Sequence, residues 1–279
     1  MRQGRLATGI KVALAAMISL LFAWPILWIV ITALRPSEEA LRYTAPFERR
    51  TFIPDSLTLD NLVGLVTGPF AGALGNSFLV SAVSVILGLA FAAAAAYVFA
   101  TVDFRGRNVL FAVVVFSFMI PFEVLAIPLA VTFRSLDLTN TYFALILPGI
   151  GNGMAVFLLR QFFLGIPKDL AEAASLDGVG WAGVFWRMYL PLSRPALISA
   201  GLMIFLFQWQ AYLWPLLVTT DQQHRVGPIA LAQFFGQSYN ADYGLIFAGA
   251  AVLSLVPAVL LLFFQRHLVT SAVGSAVKG

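Results

Sequence analysis

Long apolar stretches separated by short polar ones run along the whole chain. Six of them reach the roughly 20 mainly apolar residues that a helix needs to cross a bilayer: Val12–Leu34, Leu74–Ala100, Val109–Phe133, Tyr142–Phe163, Ala196–Val218 and Gly244–Phe264. The pattern predicts an all-α integral membrane protein with about six transmembrane helices, arranged as a single membrane domain over residues 1–279. The first stretch follows Arg2, Arg5 and Lys11 as a signal peptide would. Its apolar run is longer than a signal core and no small-x-small cleavage site follows, so it is read as an uncleaved anchor.

Within the second stretch, Gly88–Ala96 is built of small residues apart from Leu89 and Phe91, a surface suited to close approach of another helix rather than to lipid. Pro121, Pro128, Pro148, Pro215 and Pro257 fall inside or at the ends of spans, where each frees a backbone carbonyl that a neighbour must satisfy.

Composition agrees with the pattern. The chain is 60% hydrophobic and 11% charged, against about 25% charged in soluble domains. Its net charge of +4 comes from basic residues flanking spans rather than from a nucleic-acid surface. With the N-terminus inside, eleven Lys and Arg lie on the cytoplasmic side, including Arg105, Arg107, Arg160, Lys168, Arg187 and Arg194, and six on the other. That bias puts both termini in the cytoplasm. The absence of cysteine excludes disulfides, thiolate metal sites and Cys nucleophiles. Two long outer loops, Arg35–Ala73 with Phe47, Phe52 and Ile53, and Thr219–Tyr243 with the apolar run Val226–Phe235, either dock an external partner or pack over helix ends.

The loop at 166–195, between the fourth and fifth spans, reads as helix, turn, helix. Pro167 suits a helix start and Asp169 its first turn, while Gly178 supplies the left-handed residue that ends it; the second helix is expected to stop at Pro191. Ala171, Ala173 and Ala174 leave the first helix slim around one carboxylate, Glu172. Such a helix fits a groove on another protein, with Glu172 pairing to a basic group there. An amphipathic helix resting on the membrane surface would carry several basic residues on its polar face, whereas Lys168 is the only one before Asp177.

Glu172-Ala173-Ala174, Gly178 after a further three residues, and Leu190-Pro191 resemble the EAA loop of type I ABC importer permeases. Met119-Ile120-Pro121, Ile127-Pro128-Leu129, Trp214-Pro215-Leu216-Leu217 and the ending Ala276–Gly279 are similar to the carbohydrate branch of that family, in particular to its maltose-type permeases. The resemblance implies a permease fold in a bacterial or archaeal cytoplasmic (inner) membrane. It implies a heterodimer with a second permease subunit, two nucleotide-binding ATPase subunits and an extracytoplasmic solute-binding protein. Glu172, Ala173, Ala174, Asp177, Gly178, Leu190 and Pro191 would then couple to the ATPase, and the tail Val277, Lys278 and Gly279 would reach it. The cargo implied is a sugar, polyol or oligosaccharide. ATP and Mg would sit on the partner subunits: none of the three lysines, Lys11, Lys168 and Lys278, follows a glycine or precedes Ser or Thr as a P-loop requires.

Polar groups inside spans are candidates for the translocation pathway. These are Glu123, the one acid clearly inside a span, Asn152, and Gln208, Trp209 and Gln210, the last set standing where many relatives carry an Asn. Glu123 reads either as a gate or solute contact or as a carboxylate bonded to a neighbouring helix. Gln208, Trp209 and Gln210 read either as sugar contacts or as interfacial residues. An ion-coupled secondary transporter built on Glu123 is the rival function, but such carriers need paired intramembrane acids or histidines, and His224 and His267 fall outside the spans. An intramembrane enzyme lacks any catalytic or metal-ligand set within the spans.

Overall fold

The computed structural model of the protein describes residues 2–42, 48–236 and 241–276, and among them every regular element is a helix. In chain order these are α1 (Arg2–Ala33), α2 (Arg49–Phe52), α3 (Asp60–Thr67), α4 (Pro69–Thr101), α5 (Arg107–Met119), α6 (Phe122–Ser135), α7 (Tyr142–Ile150) and α8 (Gly153–Leu164). They continue with α9 (Lys168–Leu176), α10 (Trp181–Val184), α11 (Leu190–Leu192), α12 (Arg194–Trp209), α13 (Leu213–Val218), α14 (Gly227–Gly236) and α15 (Tyr243–Ala276). A π-helical turn, Phe185–Tyr189, joins α10 to α11.

Four helical runs are long and apolar enough to cross a membrane: Gly9–Ala33, Pro69–Thr101, Tyr142–Leu164 and Tyr243–Arg266. Two sharply bent pairs bring the number to six. The third expected span, Val109–Phe133, is one of them, since α5 and α6 meet at 94° across Ile120-Pro121. Proline lacks the N–H that would continue the ladder and forces the residue before it out of the helical region. Ile120 accordingly has ψ 122°, and Pro121 becomes the N-cap of α6. The fifth expected span, Ala196–Val218, is also interrupted, with α12 ending at Trp209 and α13 beginning at Leu213. Its bent partner is the helix Trp181–Leu192, at 81°. That helix runs past the expected stop at Pro191 to Leu192. The π turn, in which Leu190 N–H reaches back five residues to Phe185 O, loosens the ladder just ahead of the proline ring.

The fold divides into two compact units, Met1–Ala71 with Ala230–Val256 and Gly72–Ile229 with Pro257–Gly279. In the first, Arg35 is 1% exposed. Its guanidinium donates to Arg50 O at 2.7 Å and Thr51 O at 2.6 Å and lies over the Trp28 ring. The Asn61 amide donates to Ala33 O and Arg35 O, closing carbonyls that the end of α1 leaves open. Ser37 and Asn61 approach Gly244 so closely that a Cβ there would collide with both. The loop after α1 is thus a built structure in its described part; Phe47 lies outside the described residues.

In the second unit the small face of α4 does what its composition predicts. Ala92, Ala93 and Ala96 are buried with Ala155 and Leu159 of α8 and with Ala196, Ala200 and Ile204 of α12. At Gly88 an added Cβ would stand 3.2 Å from Gly149 O, so the backbones approach closely there. A second core joins Phe133 of α6, Ala144 and Leu145 of α7, Trp214 and Val218 of α13, and Val226 and Ile229. Pro148 within α7 can offer no N–H to Ala144 O, and the Trp214 indole N–H takes its place at 2.8 Å, fully buried. The start of the Thr219–Tyr243 loop therefore packs over helix ends, with Asn76 donating to Gln223 O and Arg225 O. Arg160, expected among the cytoplasmic basic residues, lies inside α8, where its Nε donates to Phe99 O and its guanidinium covers the Phe111 ring at 3.9 Å.

Candidate functional site: an exposed helical hairpin and a cavity at a broken span

The hairpin forms as its sequence dictates. Pro167 is the N-cap of α9 and Asp169 lies in its first turn. At the other end Gly178 takes φ +79°. Its N–H bonds to Ser175 O and the Val179 N–H to Ala174 O, the paired bonds of a Schellman motif. Ala171 and Ala174, with Ile166 and Val179, rest on the core of the second unit. Glu172, Ala173, Asp177 and Gly178 consequently face outward together, beside Leu176, which is 90% exposed. Glu172 forms no hydrogen bond or ion pair with any described residue. Leu190 turns half inward and Pro191 is exposed, so the seven residues singled out in the loop do not form a single patch.

Behind the turn, an aromatic cluster ties the hairpin to α4. The Tyr97 hydroxyl donates to Trp181 O at 2.9 Å, and its ring stacks on Trp181 and packs against Phe185 and Tyr189. No local pattern signals this contact, because Tyr97 and Trp181 are 84 positions apart. Val277, Lys278 and Gly279 lie outside the described residues.

The second region is a cavity of about 810 Å³ at the break between α5 and α6. Glu123 and Asn152 both line it, with Ser117, Thr132, Phe118, Phe122 and Phe207. Asn152 is also the N-cap of α8, its Oδ1 accepting from Ala155 N at 3.0 Å. Glu123 has no hydrogen bond or ion pair to any described residue, so the expected alternative of a carboxylate bonded to a neighbouring helix is not what the fold provides. Gln208 is instead turned into the bundle, donating to Ser84 Oγ at 3.0 Å and Leu145 O at 3.1 Å. It presses so near Gly149 that a Cβ there would meet the amide at 2.8 Å. Trp209, 1% exposed, is stacked on Phe205 and set edge-on to Phe78; Gln210 is exposed just past the end of α12. Neither lines the cavity. Ser117, Thr132 and the three phenylalanines escaped the sequence reading; the kink expected at Pro121 was the one signal that could have found them.

A polar clasp holds the turn after α13. The Asn140 side chain accepts from Thr220 N and Asp221 N, and Asp221 pairs with the His224 ring at 2.7 Å. Partial burial pushes the Asp221 carboxyl up, but hydrogen bonds from the ring and backbone of His224 and the charges of His224 and Arg225 outweigh it. The group ends below its usual range.

Residues 84–272 match the family model described as binding-protein-dependent transport system inner membrane component. The chain is 38% identical over 267 residues to the arabinooligosaccharides transport system permease protein AraQ of Halalkalibacterium halodurans, covering 95% of this chain and 94% of the relative. It is 33% identical over 259 residues to the trehalose transport system permease protein SugB of Mycobacterium tuberculosis, covering 91% and 92%. The fold is shared with a chain in the crystal structure of a bacterial ABC transporter involved in import of the acidic polysaccharide alginate. That match has a TM-score of 0.80 and 19% identity, and covers 95% of this chain and 97% of the other.

Proposed function

The chain belongs to the binding-protein-dependent transport system inner membrane components, and from that premise we propose that it imports a sugar, polyol or oligosaccharide as one half of an ATP-driven permease. The relatives named for arabinooligosaccharides and trehalose support that cargo class. In this reading the chain forms a heterodimer with a second permease subunit and receives solute from an extracytoplasmic binding protein. Two ATPase subunits on the cytoplasmic side hold ATP and Mg. Both termini are cytoplasmic, and Val277–Gly279 reach toward the ATPase.

The observation that carries the reading is the exposed face Glu172-Ala173-Asp177-Gly178, presented by a helix whose other side is fixed to the core. An unpaired carboxylate on a slim, capped helix is suited to insertion beside a basic group in a partner's groove. The Tyr97–Trp181 contact would then pass a push on the hairpin to α4, and the broken spans would rock to alternate access.

The test is solute uptake by the complete importer in proteoliposomes. Uptake is expected to require ATP and the binding protein, and Glu172→Ala to abolish it while leaving membrane insertion intact. Uptake driven by an ion gradient without ATP, as in a carrier built on Glu123, would refute the reading.

A further inference from the structure

The cavity at the broken span has a chemistry that the importer reading does not use. Its one ionisable liner among the described residues is Glu123, and no Lys, Arg or His lines it. The Ser117 hydroxyl donates to Val114 O and the Thr132 hydroxyl to Pro128 O, so both present only lone pairs to the cavity. The Glu123 carboxylate likewise accepts. The Asn152 oxygen is occupied by Ala155 N, which leaves its amide N–H groups as donors. The polar set is therefore rich in acceptors with one side-chain donor, matched to hydroxyl groups, which donate and accept. Phe118, Phe122 and Phe207 supply apolar faces for the C–H surfaces of a sugar ring.

We propose that this chain itself carries a solute subsite in this cavity, centred on Glu123, which takes neutral, hydroxyl-rich solute and rejects anions. The inference rests on the importer reading and deepens it by naming the charge of the cargo. An anion, able only to accept, would meet one side-chain donor beside the backbone N–H groups that open α6 and α8, and would face the carboxylate. The positive end of α6 does not reverse this, and at α8 the Asn152 oxygen takes up one of the open N–H groups. Glu123 sits in the first turn of α6, where it offsets that end, and Asn152 caps α8. Glu123 also lacks any partner within the described fold, and at membrane depth a carboxylate without one is costly. Hydroxyl donors of a passing solute would supply the missing bonds.

The absence of cysteine from the chain permits a direct reading of the cavity's charge. Ser117→Cys is introduced into the complete importer, assembled from cysteine-free partner subunits in proteoliposomes, with and without Glu123→Gln. Labelling rates are measured with a cationic and an anionic thiosulfonate of similar size. With Glu123 present the cationic reagent is expected to react about tenfold faster than the anionic one, after correction for their rates with a free thiol. In the Glu123→Gln protein the two corrected rates should converge. A mixture of arabinotriose, trehalose and maltotriose should slow labelling, and sn-glycerol 3-phosphate should not.

A ratio that Glu123→Gln leaves unchanged, an unreactive Ser117→Cys, protection by glycerol phosphate, or protection by no probe overturns the subsite. None of these outcomes touches ATP-dependent uptake by the wild type. Failure of that uptake would sink the importer reading and leave the charge ratio standing.

Discussion

The helical hairpin at 166–195 and the cavity beside Pro121 are built in opposite ways. Every feature that shapes the hairpin's first helix lies within about a dozen residues: Pro167 starts it, Gly178 ends it, and the alanines seat one side while leaving Glu172 on the other. The cavity draws on segments of chain from Ser117 to Phe207, and its polar groups stand on the two arms of the α5–α6 bend and at the start of α8. The first helix of the hairpin is a locally encoded handle, whereas the cavity depends on distant contacts holding broken helices in place. Disturbing the handle should cost function without fold, and disturbing the supports of the cavity should cost fold first.

The largest effect is expected at the tip of the handle. Glu172→Lys replaces attraction by repulsion at the proposed ATPase groove, where loss of a buried charge pair is worth about 2–5 kcal/mol. Solute-stimulated ATP hydrolysis should fall at least ~30-fold, while the thermal midpoint of the detergent-solubilised chain stays within a degree or so of the wild type. A large loss of thermal stability would contradict the contrast between handle and cavity. Next comes a support of the second region. Trp214→Phe leaves the carbonyl that Pro148 exposes without a donor, and should cost about 1–2 kcal/mol of stability. Pro148→Ala, which restores an N–H for Ala144 O, should recover part of that loss in the double variant. Full additivity of the two substitutions in thermal unfolding would show that the indole does not substitute for the missing N–H.

A smaller effect is expected at Gly178→Ala. A side chain at φ +79° costs about 1 kcal/mol. It should loosen the turn, seen as faster proteolysis between α9 and α10, and lower coupled ATP hydrolysis severalfold. Unchanged proteolysis would mean that the turn tolerates the strain. The smallest effect concerns the polar clasp after α13. Asp221 titrates below its unfolded value, so its stabilising contribution is complete above the usual carboxylate pKa and is lost as pH falls through the lowered value. Proteolysis or hydrogen exchange of the 219–226 turn should stay constant from pH 7 to about pH 5 and then rise on further acidification. In Asp221→Asn that rise should be absent. A rise beginning near neutral pH would contradict the assignment to Asp221.

Much of the hairpin was legible from its residues because proline, glycine and alanine act on their own backbone. Where the reading failed, the cause was again local geometry with a nonlocal outcome. Pro121 and Pro215 were legible as kinks, yet nothing in them gives a bend of 94° or ends α12 at Trp209 and restarts α13 at Leu213. Glu123 and Asn152 were found by the rule that polar groups in spans have a purpose, and the fold brings both to one cavity. Gln208 satisfied the same rule and serves another end, tying α12 to α4 and α7.

The number and place of the apolar stretches, the capped helix that carries Glu172 and the small face of α4 are all written in the residues themselves. Each follows from length, period or the steric limits of single residues, which act over a few angstroms along the chain. Which polar groups face the cavity, and which are used up in packing, was settled only once the helices had docked. A side chain on a broken span points wherever the bend sends it, and beyond the bend Phe122 and Phe133 of α6 pack on the ring of Trp214, some 80 or more positions away in sequence.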